Sequence, residues 1–123
     1  EYTLLAQEDY DLSQGGVPMS PKTYADKALE NMKRAPGFQL LENTQIPAAN
    51  GDMITYTEVE FADGVLHVFL LSYVVDNTGF RVTLITPGPG VSTDPETLSY
   101  VQDVIQRSRE LARYMAGTIN VRR

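Results

Sequence analysis

The chain has a single histidine, His67, so its neighbours decide what acid–base chemistry the protein can offer. Asp63-Gly64 is a strong two-residue hairpin signal. If it forms the loop, Glu60 lies opposite His67, Glu58 opposite Phe69, Tyr56 opposite Leu71 and Val59 opposite Val68. A carboxylate beside an imidazole can orient a general base, so one reading is a small hydrolase or isomerase using His67 with Glu60 or Glu58. No serine is placed as a nucleophile, and there is no cysteine to be one. Opposite charges paired across strands are ordinary on a half-solvated sheet face, and one histidine with two glutamates makes a poor metal site. The pair is therefore read as structural first, with no catalytic residue, metal or cofactor assigned.

Tyr56, Phe69 and Tyr73 fall on the same face as His67 and Glu60, with Ile54 and Leu71 among them. Such aromatics serve a ligand or partner surface, or they pack beneath a helix. Five of the seven arginines are Arg107, Arg109, Arg113, Arg122 and Arg123. They suggest an anion-binding surface or, more simply, the basic end of a helix whose start carries Asp94, Glu96 and Asp103. Asp103 and Arg107 are also spaced for a pair along one helix face. Gly88-Pro89-Gly90 is not a phosphate cradle: no Lys-Ser/Thr follows it, and an antiparallel strand precedes it.

These residues need elements to position them. Ser20-Pro21 reads as a cap and first helical position, and Tyr24, Ala25, Ala28, Leu29, Met32 and Ala35 recur at helical spacing. A first helix is expected over residues 21–35, with Glu30 and Arg34 paired along it, stopping at Pro36-Gly37. Strands are expected over 38–46, 52–61 and 65–76, with Asn50-Gly51 as another turn. A loop at 77–79 would then pair Val74 with Val82 and put Phe80, Val82 and Leu84 on the face of Met53, Val59, Phe61, Leu66, Val68 and Leu70. Thr93 or Asp94 caps a long final helix over 94–116, ended by Gly117. An edge strand is expected within residues 1–13, and a last short one at 118–121.

Length, at 123 residues, suits one domain spanning the whole chain. Sixteen acids against ten bases leave −6, which excludes nucleic acid and an anionic membrane as default partners. The most apolar stretch, 65–75, is too short to span a bilayer. Because the chain starts at Glu1, it reads as processed or trimmed, with any signal peptide or lipid tether upstream.

The order of helix, antiparallel strands and long final helix, with SPKTYADKALENMKRAPGFQLLE at 20–42, resembles the PsbP-like and DcrB-like families. Their first helix carries a related Tyr-Ala…Leu…Met/Leu…Pro-Gly-Phe pattern. The resemblance covers roughly 20–115 and implies an α+β fold, an antiparallel β-sheet flanked by helices in an α/β/α sandwich. It also implies an exported, periplasmic lipoprotein-type protein of accessory function, or a cytoplasmic adaptor or chaperone of secretion effectors. It supplies no catalytic residue. The final helix is expected to roof the Val59, Val68 and Leu70 face. The short first helix would leave a partly open groove lined by Tyr56, Phe69 and Tyr73, for a protein partner, a small hydrophobic ligand or a second copy of the chain.

Overall fold

The computed structural model of the protein describes residues 4–11, 21–49, 51–75 and 78–119. Five strands, β1 (Leu4–Asp11), β2 (Gln39–Pro47), β3 (Met53–Phe61), β4 (Leu66–Val75) and β5 (Thr78–Pro87), form one antiparallel sheet in the order β1-β5-β4-β3-β2. Two helices, α1 (Pro21–Met32) and α2 (Pro95–Thr118), cover its opposite faces. The fold is therefore α+β, as the residue pattern implies, with the sheet lying between two helices. The final helix is capped by Asp94, whose carboxylate accepts from the Thr97 N–H at 3.0 Å. The Thr97 hydroxyl donates to the same carboxylate at 2.8 Å, and these two bonds, side chain first and then backbone, hold the Asp94 carboxyl below its ordinary value.

Several local expectations are corrected. The first helix ends at Met32, not 35, and passes through turn-like bonds to Pro36-Gly37. Arg34 thus leaves the helical face, and Glu30 pairs instead with Lys33 at 3.4 Å. Gly117 does not stop α2, which runs on to Thr118. Its last turn carries no base; Arg107, Arg109 and Arg113 lie before it and serve side-chain partners rather than the helix end. Ser20, Asn50 and residues 120–123 lie outside the described residues.

The register of β3 on β4 follows the Asp63-Gly64 expectation, with Glu60 facing His67 and Val59 facing Val68. That of β5 does not. Val74 pairs with Gly79 and Leu71 with Val82, so only two residues connect β4 to β5. The difference from the expected Val74–Val82 pairing is an odd number of residues, which turns every β5 side chain to the other face. Val82 and Leu84 thereby join Ile54, Tyr56, Phe69 and Leu71, all buried, and this face becomes the main core.

That flip decides where the long helix sits. The stripe of Val101, Val104, Ile105, Ser108, Ala112 and Ala116 on α2 is buried, and it roofs the face carrying Tyr56 and Phe69. Small Ala112 and Ala116 let the helix approach the large rings beneath. The opposite face keeps a smaller cluster of Val59, Val68 and Leu70, closed by Met32, Phe38, Phe61 and Ile85. Met53, expected there, is exposed. The same face also carries Thr55, Thr57 and Ser72, and Thr55 and Thr57 bond the Gln45 and Asn43 side chains of β2. At the sheet edge, a bulge between Leu40 and Glu42 resets β2, bringing Glu42 opposite Glu58 and into reach of Arg113 on α2.

Candidate functional site

Beneath α2 the sheet holds a chain of charged groups. Glu58 is 2% exposed and sits at its centre. The Tyr56 hydroxyl donates to its Oε1 at 2.8 Å, and Arg109 reaches across from α2 with Nε to Oε1 at 2.9 Å and Nη2 to Oε2 at 2.7 Å. His67 Nε2 meets Oε2 at 2.7 Å, and His67 Nδ1 meets Glu60 Oε2 at 2.9 Å. Ionised carboxylates only accept, so both contacts are hydrogen bonds when the ring carries a proton on each nitrogen. In that state two carboxylates face one guanidinium and one imidazolium, and the buried charges balance.

The electrostatics follow. Burial by itself pushes the Glu58 carboxyl up, but Arg109 first, then His67 and Tyr56, hold it well below the usual carboxylate range. Glu58 in turn holds the Arg109 guanidinium above its ordinary value. Burial, followed by the bond to Glu58 and its charge, pushes the Tyr56 hydroxyl well up. Arg113 lies over the Tyr56 ring at 4.7 Å and pairs with Glu42.

The sequence-derived candidates divide into two groups. His67, Glu60, Tyr56 and Phe69 are brought together, with the His67 and Phe69 rings 4.9 Å apart. They do not line an open groove: Tyr56 and Phe69 are 0% exposed and His67 is 2% exposed, because α2 covers this face. The His67–Glu60 pair is accordingly not a solvated surface pair. Tyr73 stands apart, half-buried and stacked on Phe80 at 5.2 Å. Arg109, expected only as part of an anion-binding surface or as a base near the helix end, is instead the strongest partner in the chain of charges. The signal for it was a base interrupting the apolar stripe between Ile105 and Ala112.

The chain of charges has one end near solvent. Glu60 lines a cavity of about 540 Å³ together with Gly37, Phe38, Gln39, Asp63, Gly64, Pro89 and Gly90. Its wall is the β3–β4 turn, where Ala62, Asp63 and Gly64 all adopt positive φ. Glycines grip this turn because nothing larger fits. A Cβ on Gly88 would stand 2.0 Å from the Gly64 carbonyl oxygen, and one on Gly90 2.5 Å from that of Asp63. The segment 88–90, rejected as a phosphate loop, thus clamps the hairpin. Gly88→Ala should cost about 1–3 kcal/mol of stability in urea unfolding, since backbone must move. Gly117→Ala, with open space around it, should be neutral or slightly stabilising in the same assay.

Fold and site together define an α+β sandwich with a buried ion network that opens on a loop-edge cavity. A scan against protein-family models finds no match to the chain, and neither does a search of the curated proteins. Among the described residues, no group of three or more His, Asp or Glu side chains could hold a metal ion, and no helix is long and apolar enough to cross a membrane.

Proposed function

We propose that the protein is a non-catalytic accessory or binding protein of the bacterial cell envelope, acting through its loop edges at the cavity beside Glu60. The observation that carries this reading is the saturation of Glu58. Four donors from Tyr56, Arg109 and His67 occupy its oxygens, which makes His67 a strut within the core. The envelope and an extracytoplasmic, periplasmic location rest on the resemblance of 20–42 to the PsbP-like and DcrB-like families. With the sheet face roofed, the cavity at the loop edge offers a concave surface that the helices do not cover.

A second reading has one observation in its favour. Glu60 both lines the cavity and contacts His67, as a general base of a small hydrolase or isomerase would. Affinity capture from envelope and cytosolic fractions of the host separates the two. Wild type should retain an envelope component that Gln39→Arg, an exposed change at the cavity rim, releases. Capture indifferent to Gln39→Arg would overturn the reading. So would substrate turnover that Glu60→Gln abolishes in a folded protein.

A further inference from the structure

Resting on the reading that the cavity is the binding surface, we propose that it takes an organic cation, a guanidinium or primary ammonium group, seated between Glu60, Asp63 and the Phe38 ring. Its volume of about 540 Å³ is that of a small-ligand site. Among its lining residues, two are acids and none is a base. Asp63 Oδ1 lies 2.7 Å from where a Gly37 Cβ would stand, and Glu60 Oε1 lies 3.6 Å from that of Gly64. Both carboxylates thus lie beside glycines that line the cavity. No described lysine or arginine is paired with either.

Glu60 is also unusually well fixed for a rim carboxylate. Its side chain is 14% exposed, and its Oε2 is held by His67, itself held by Glu58 and, through Glu58, by Arg109. Oε1 remains as the acceptor towards the cavity. A carboxylate fixed in this way loses little freedom on accepting a charge-assisted bond. Phe38, propped against Phe61 with ring centroids 5.8 Å apart, adds an aromatic wall that favours cations over neutral or anionic groups. The glycine grip on the β3–β4 turn keeps these parts in place without filling the space between them.

The test is heteronuclear NMR of the intact protein with putrescine and agmatine, against neutral butanediol. An arginine-containing tripeptide with blocked ends forms a separate arm. The cations should give saturable shifts centred on the amides of Gly37, Gly64 and Gly90, and butanediol none. Agmatine or putrescine binding without the peptide identifies a free small molecule as the source, and the reverse a partner's side chain. Glu60→Gln should weaken binding by about tenfold or more. Asp63→Asn, at an exposed turn position where folding is not at stake, should weaken it severalfold. Glu110→Gln, an exposed acid on α2, should leave it unchanged. Absence of saturable shifts at ~10 mM cation, equal shifts with butanediol, or affinity untouched by both Glu60→Gln and Asp63→Asn would overturn the proposal. Envelope capture still sensitive to Gln39→Arg in that event would keep the binding reading and remove only the cation.

Discussion

Arg109→Ala should be among the most damaging single changes on α2, lowering stability by about 3 kcal/mol or more, at the lower end of the range for breaking a buried ion pair because the guanidinium is partly exposed. Glu58 would keep its burial and lose two of its four donors. A loss of that size shifts Tm by roughly 10 °C for a chain of this length. Arg107→Ala is the matched control: its pair with Asp103 at 3.1 Å is exposed on both sides, so its removal should cost well under 1 kcal/mol. Thermal or urea unfolding of the two variants side by side decides it. Equal effects would mean that the network contributes nothing beyond an ordinary surface pair.

The same network sets an acid dependence. The folded Glu58 carboxyl lies below its ordinary 4.5, so its contribution is fully present above that pH. It drains away as pH falls below 4.5 towards the lower folded value. Wild type should lose stability over that window, and Arg109→Ala should show a shallower loss, having less of the shift to forfeit.

Phe69→Ala should cost about 3–5 kcal/mol, the range for removing a fully buried aromatic side chain. The ring is 0% exposed, 4.9 Å from the His67 ring and in one core cluster with the apolar stripe of α2. A ring lining an open groove would cost far less and would instead weaken a partner. Tyr114→Ala gives the comparison, since that ring is 70% exposed on the outer side of the same helix. Unfolding midpoints that differ little between the two variants would contradict the packing described.

Much of the fold was legible because its signals are local. Pro21, the apolar stripe of α1, the Asp94 cap and the Asp63-Gly64 turn each act within a few residues. Each placed its element to within a turn. The Glu60–His67 pair was legible for the same reason, since a two-residue loop dictates the register of the strands it joins. The β4–β5 connection was not. Whether the loop holds two residues or three changes local chemistry little, yet it moves Val82 and Leu84 from one face of the sheet to the other.

By its own pattern, then, the sequence determined the elements, the antiparallel order of β2 to β5 and the neighbours of its histidine. Tertiary structure alone decided which face the long helix covers. That choice depends on where ten strand side chains from β3, β4 and β5 jointly point, and one odd shift reverses a third of them. It also decided that Glu58 would be buried and that Arg109, 51 positions away, would satisfy it. It brought Gly37, Gly88 and Gly90 around one turn as well. Such pairings are long-range, so no spacing within the chain encodes them; they exist only once both helices have docked.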